Sequence, residues 1–267
     1  MIERKAIFIT GGGSGIGRAI AQHFAAKGWF IGLGDLNEQG MRETAALLPG
    51  GTSYSHVLDV RDAAGWTTAL DSFAMASGGR IDVVANNAGV PSGGRLMDMG
   101  EDEIDLCLDV NLRGVINGAR AAYPHLLKTA PGSCLINTCS AAGLYGSSGM
   151  SIYCASKFGV RAVTESLDGE WLEDGIKVRS IMPSFIDTPL LQRTSHRNDN
   201  VPIRERVQAA GLEFTPVEDV AQAAWDAVHG KKVHTLVGKT ARHMAFAAKW
   251  APGFLRRRAR KLAGSVE

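Results

Sequence analysis

Short apolar runs alternate along this chain with longer stretches of helical periodicity. The apolar runs cover Lys5 to Thr10, Trp29 to Leu33 (closing at Asp35), Ser53 to Val60, Ile81 to Asn86, Ser133 to Ser140, Lys177 to Pro183 and Val233 to Val237. Between them, Ile16 to Lys27, Glu101 to Lys128, Ile152 to Asp174 and Glu218 to His229 repeat their apolar positions at helical spacing. Ala6-Ile7-Phe8-Ile9 lacks polar alternation, as a strand covered on both faces should. The pattern predicts an α/β protein: one Rossmann-type, doubly wound parallel sheet of seven strands with helices on both faces. Residues 184–214 are polar in the middle and follow neither period, so they are expected to form a functional loop. The domain is expected over 1–238, with an extension over 239–267.

Composition is that of a globular protein, with 45% of the 267 residues hydrophobic and 21% charged. The net charge of +2 hides an asymmetry. Residues 1–238 hold 21 Lys/Arg against 26 Asp/Glu, a balance of −5, whereas 239–262 hold eight Lys/Arg and no acid. A body of that sign does not suit nucleic acid. Cys107, Cys134, Cys139 and Cys154 form no C-x-x-C pair. The first strand starts too early for a signal peptide, and both features point to a reducing, cytoplasmic compartment. The histidines show no metal-binding spacing, so no metal is expected. Ser140 lies outside any G-x-S-x-G elbow, which argues against a hydrolase.

Thr10-Gly11-Gly12-Gly13-Ser14-Gly15-Ile16-Gly17 joins the first strand to the first helix. Glycines allow a tight turn, and a helix N-terminus offers amides and a positive dipole end to a pyrophosphate. Gly11, Ser14, Gly15, Ile16 and Gly17 are therefore candidate cofactor contacts. A glycine turn can also be purely structural; the strand before it and helix after it favour the phosphate reading. Asp35 closes the second strand, where a carboxylate can bind an adenosine ribose and repel the 2′-phosphate of NADP. Leu36 and Asn37 follow, and neither is a cation. The expected cofactor is NAD(H), although Asp35 could also be a plain turn residue.

These motifs together resemble the short-chain dehydrogenases/reductases, over about Lys5 to Val237. Asp59-Val60 is similar to the family's adenine-holding pair, and Asn86-Asn87-Ala88-Gly89 to its motif after the fourth strand. Asn111 stands at the place of the catalytic asparagine, Ser140 follows the fifth strand, and Tyr153-Cys-Ala-Ser-Lys157 matches the family's Y-x-x-x-K. Pro183 to Pro189, with Ile186, resembles the nicotinamide loop, and Thr188 takes the place of a carboxamide contact. The sequence departs from the family at Ser184, where glycine is usual, and in its basic tail.

The resemblance implies an oxidoreductase with Asn111, Ser140, Tyr153 and Lys157 as catalytic residues. A tyrosine titrates near ~10, too high for a base at neutral pH. Lys157 lies four residues on, on the same helical face, where its charge can lower the Tyr153 pKa. By resemblance it also holds the nicotinamide ribose. Ser140 would hydrogen-bond the substrate oxygen, and Asn111 would anchor a water that relays protons. A non-catalytic NAD(H)-binding module is the rival reading, against which the complete set of four argues.

The substrate is expected among Ser140, Leu144, Tyr145, Met150, Tyr153 and Phe185, in segments that also offer Val90, Pro91, Leu190 and Leu191. No arginine stands beside Val90 and Pro91 or between Leu144 and Met150, so an apolar or aromatic alcohol or ketone is expected. The resemblance implies that the helices over 101–128 and 152–174 pair two copies, with Leu106, Val110, Ala162 and Leu167 on their apolar faces. The extension would block the family's second interface, giving a homodimer rather than a tetramer. In the tail, Met244, Ala247, Ala248 and Ala251 recur at helical spacing and Pro252-Gly253 breaks the helix. The tail can dock on the domain, with Met244, Phe246 and Trp250 extending an apolar entrance. It can also bring Arg256, Arg257, Arg258, Arg260 and Lys261 to an anionic membrane.

Overall fold

In the computed structural model, residues 4–196 and 200–263 are described, with 258–263 described by their backbone. The apolar runs become β1 (Ala6–Thr10), β2 (Phe30–Asp35), β3 (Ser53–Val57), β4 (Val83–Asn86), β5 (Cys134–Thr138) and β6 (Lys177–Pro183). With β9 (His234–Val237) they form a seven-stranded sheet in the order β3-β2-β1-β4-β5-β6-β9. Every pairing in it is parallel. A two-residue strand β7 (Phe185–Ile186) pairs with β8 (Phe214–Thr215) beside it.

Side chains alternate across the sheet into two cores. Ile7, Ile9, Ile31 and Leu33 pack with α1 (Gly15–Ala26) and α8 (Val217–His229). Phe8, Val84 and Leu135 face the other way, onto α3 (Ala63–Ala76) and α5 (Gly114–Lys128). Leu106 lies on α4 (Glu101–Leu108), which packs beside α6 (Ser151–Glu170). Of the apolar helix positions, Val110 and Leu167 turn to this second core, while Leu106 and Ala162 stay exposed. Helices thus cover both faces, and the strand order reverses between β1 and β4. At such a point the loops diverge and leave a crevice.

Two regions differ from their sequence pattern, and the tail forms its expected helix with a second one after the break. The periodicity over Glu101 to Lys128 is interrupted by a π-helical turn at Asp109–Arg113. The loop over 184–214 carries β7, a 3-10 turn at Pro189–Gln192, α7 (Ile203–Ala209) and β8. The tail forms α9 (Lys239–Trp250) and α10 (Pro252–Ala263), with Ala251 between them. Among the described residues, no helix is long and apolar enough to cross a membrane.

Candidate active site

The turn after β1 is built for close approach. Gly11 has φ +66°, which side chains disfavour. A β-carbon at Gly17 would collide with the Gly11 carbonyl oxygen. Ser14 precedes α1 without capping it through its side chain. The amides of Gly15, Ile16 and Gly17 thus open the helix at the crevice, where first-turn amides lack intrahelical partners. This cradle of glycines and amides fits an anionic pyrophosphate.

Asp35 ties that turn to the end of β2. Its Oδ2 accepts from the Gly13 amide at 2.9 Å, and its Oδ1 from the Asn37 amide at 2.9 Å. A cation missed by reading only the residues after Asp35 lies close by. Arg18 donates to the Gly13 carbonyl at 2.6 Å, to Thr44 at 3.0 Å and to Glu43 at 3.0 Å. Neither Leu36 nor Asn37 is a cation, but Arg18 reaches the same turn from α1, held among these acceptors. Asp59 is likewise engaged, by Arg61 at 2.6 Å, and that hydrogen bond holds its carboxyl below the usual range. Val60 is buried, and its carbonyl accepts from Trp66 and Asn117.

Thr10 organises the loop after β4. Its hydroxyl accepts the amides of Asn87 at 3.0 Å and Ala88 at 3.1 Å, and its carbonyl accepts the Asn87 side chain at 2.9 Å. Thr138 donates to the same side chain at 3.1 Å. Gly89 follows, exposed. The Asn-Asn-Ala-Gly motif thus spans β1, β4 and β5, and Thr10 and Thr138 are parts of it that no motif reading picked out.

Asn111 is fully buried in the π turn. Its Oδ1 accepts the Val90 amide at 2.8 Å, and its Nδ2 donates to the Val90 carbonyl at 3.0 Å. Cys107 Sγ lies 3.4 Å from the same Nδ2. The side-chain amide is therefore committed to Val90. Lys157, also buried, donates to the Thr138 carbonyl at 3.0 Å. Its Nζ is 5.7 Å from the centre of the Tyr153 ring. Burial lowers the Lys157 ammonium from its usual range.

Tyr153 is half-buried and hydrogen-bonded to Ser140. Burial pushes its phenol up, and the Ser140 hydrogen bond opposes that. This corrects the expectation for the protein alone: desolvation outweighs any downward pull from Lys157. Ser140 Oγ accepts the Ala142 amide at 3.1 Å, which fixes the hydroxyl at the end of β5. Asn111, Ser140, Tyr153 and Lys157 thus converge from the π turn, the end of β5 and α6.

Pro183 ends β6, Ser184 donates its amide to the Val237 carbonyl at 3.3 Å, and Ile186 is buried. Thr188 bonds the Ile186 carbonyl at 3.3 Å. A β-carbon at Gly15 would lie 3.2 Å from Thr188 Cβ, so this segment folds back onto the phosphate turn. Leu144, Tyr145, Met150 and Phe185 are half-buried. A cleft of about 350 Å³ runs between Leu144, Tyr145 and Gly146 on one side and Ala248, Pro252, Leu255 and Arg256 on the other. The tail therefore docks beside the segment after β5. The expected apolar entrance is corrected in its residues: Phe246 and Trp250 are each 67% exposed and leave the cleft to Ala248 and Leu255.

The residue pattern of the family described as short chain dehydrogenase matches residues 5–199. The meso-2,3-butanediol dehydrogenase of Serratia marcescens is 35% identical over 186 residues, covering 70% of this chain and 73% of that protein. The probable oxidoreductase EphD of Mycobacterium tuberculosis is 37% identical over 193 residues, or 70% of this chain, which spans only 32% of EphD's length. Among solved structures, a short chain dehydrogenase/reductase from Burkholderia phymatum in complex with NAD is similar, with a TM-score of 0.82 at 27% identity. The match covers 92% of this chain and 93% of that one.

Proposed function

Because the chain belongs to the short-chain dehydrogenase family, we propose that it is an NAD(H)-dependent oxidoreductase interconverting a secondary alcohol and a ketone. The observation that carries this reading is the convergence of Ser140, Tyr153, Lys157 and Asn111 beside the glycine cradle. The Serratia relative, named for a secondary diol, supports the reaction class. The catalytic unit is read as residues 1–238, with 239–267 as an extension. Free, buried cysteines support a reducing, cytoplasmic setting.

Nicotinamide supplies or accepts the hydride when it is bound. The protein's task is to hold the substrate oxygen and move its proton. Tyr153 Oη gives that proton in the reductive direction and takes it in the oxidative one. Ser140 Oγ accepts from Ala142 and shares a hydrogen bond with Tyr153, so the two hydroxyls stand together to meet the same substrate oxygen. Lys157 holds the nicotinamide ribose and returns protons to Tyr153. Asn111 fixes Val90 and the π turn beneath that lysine. Gly11, Ser14, Gly15, Ile16 and Gly17 would hold the pyrophosphate, Asp35 the adenosine ribose, and Asp59 and Val60 the adenine. Asn87, Ala88, Gly89, Pro183, Ile186 and Thr188 would line the remaining cofactor path. Asp35 and the NAD complex of the Burkholderia relative support NAD over NADP. The half-buried Leu144, Tyr145, Met150 and Phe185 support an apolar or aromatic substrate.

The test is a panel of secondary alcohols with NAD and ketones with NADH, read by NADH absorbance, beside a fluorescence titration of NADH. Binding of NADH with no turnover on any member of a broad panel would count for a non-catalytic module.

A further inference from the structure

A docked amphipathic helix ordinarily buries its largest apolar side chains and gives water the small and charged ones. In α9 this order is reversed. Ala241 is fully buried, and Met244, Ala245 and Ala248 are half-buried. Phe246 and Trp250, one helical turn apart, face solvent together at 67% exposure, and Phe254 in α10 is 52% exposed. Arg242 and Lys249 are exposed on the same side. Lys249 Nζ stands 5.0 Å from the centre of the Trp250 ring. Arg256 and Arg257 continue the exposed basic run, while Leu255 is buried and anchors α10. The side chains of Arg258, Arg260 and Lys261 lie outside the described residues, but their charges belong to the same segment.

We propose that this outward face of α9 and α10 is a docking surface for an anionic lipid membrane. Two large rings side by side in water, with a third exposed in the next helix, mark a surface made to be covered. Charge complementarity selects the occupant: 239–262 carry eight cations and no acid. Aromatic rings between Lys and Arg suit the headgroup boundary, where rings enter the apolar edge and cations meet phosphate and carboxylate. Residues 1–238, at −5, are repelled by the same surface, so the tail is the side that meets it. Neither helix qualifies as a span, which leaves a helix pair lying in the plane.

The test is sedimentation of the full chain with phosphatidylcholine vesicles, with and without phosphatidylserine. Binding should require phosphatidylserine at low ionic strength and fade as salt rises. Each cation near such a surface contributes about fivefold to partitioning. Lys249→Glu with Arg257→Glu should therefore weaken partitioning by more than about tenfold. Phe246→Ala with Trp250→Ala should weaken it as well, and both variants should keep the wild-type unfolding temperature and NADH affinity. Inorganic phosphate should release no more protein than sodium chloride of equal ionic strength; greater release would assign the surface to free phosphate and overturn the proposal. So would a wild-type chain that stays in the supernatant at low salt, or charge-reversed protein that partitions unchanged. A self-association lost in Phe246→Ala with Trp250→Ala, with vesicles ignored, would give the surface to a second copy instead.

Discussion

Lys157 donates to the main-chain carbonyl of Thr138 at 3.0 Å, although its partner by sequence motif, Tyr153, lies one helical turn away. The cation braces the end of β5, and burial favours the neutral forms of both side chains: the phenol is raised and the ammonium lowered. A base whose pKa is raised gains its active form only as pH climbs. Alcohol oxidation should therefore rise with pH above neutrality, while carbonyl reduction, which needs the protonated phenol, stays level there. Initial rates in both directions across that range provide the check. An oxidation rate flat through neutral pH would mean that cofactor binding has already brought the phenol down.

Tyr153→Phe removes the transferable proton and almost no volume. The variant should fold, bind NADH as the wild type does, and retain less than about a tenth of kcat, since an acid/base group contributes about 100-fold or more. Single-turnover kinetics beside an NADH titration separate the chemical step from binding. Retention of more than that tenth would assign the proton to another group.

Asn111 makes two reciprocal hydrogen bonds with Val90 from a fully buried position. Asn111→Ala strands the Val90 amide and carbonyl, at a cost of about 1–3 kcal/mol. For a chain of this size that is a fall of roughly 2–4 °C in Tm per kcal/mol. Asn111→Asp places a second acceptor against the Val90 carbonyl and should destabilise at neutral pH too. Calorimetry measures both, and an unchanged Tm in Asn111→Ala would show that the pair contributes nothing to the fold.

Asp35 presents its carboxylate at the end of β2, where it would repel a 2′-phosphate. NAD(H) should bind more than tenfold better than NADP(H), about 1.4 kcal/mol. Asp35→Ala with Leu36→Arg should shift the preference towards NADP. The structure adds a second effect, because Asp35 also accepts the Gly13 and Asn37 amides. The double variant should lose NAD affinity beyond the ribose contact, since the turn loses its tie to β2. Calorimetric titration with each cofactor tests this, and equal affinities in the wild type would remove the discrimination from Asp35.

The sheet was legible because parallel strands buried on both faces write themselves as apolar runs, such as Ala6 to Ile9. The motif residues were legible because Tyr153, Lys157 and the glycines sit at fixed offsets from those strands. The π turn at Asp109–Arg113 was not, since one shifted hydrogen-bond register leaves the apolar spacing of a long helix almost intact. β7, β8 and α7 were hidden because two residues, or two turns, are too short to show a period. Thr10 and Arg18 act through hydrogen bonds to groups that only folding brings near. In the tail, spacing shows that α9 has faces but not which one docks. Alanine lets the helix backbone approach the segment after β5 closely, and that turns Phe246 and Trp250 outwards.

Assembly is the last expectation. Leu106 on α4, Ile116 on α5 and Phe158 on α6 are 44%, 38% and 41% exposed, on helices packed along one side of the sheet. Large side chains left half in water on neighbouring helices suit a two-fold pairing in which each copy covers the other. The sheet's last strand, β9, runs directly into α9, which packs against it. The tail thus occupies the end of the molecule where a second interface would form, and the chain should stop at a dimer. Light scattering at micromolar concentration should give twice the chain mass. Phe158→Glu costs little in a monomer, where its side chain already meets water, but buries an unpaired charge in the dimer. It should weaken dimerisation by at least about tenfold, roughly 1.4 kcal/mol. Trp250→Ala should leave the dimer intact, because that ring lies on α9 in the tail and not on α4, α5 or α6. A wild-type monomer would remove the helix interface, and a tetramer would show that the tail does not close the second one.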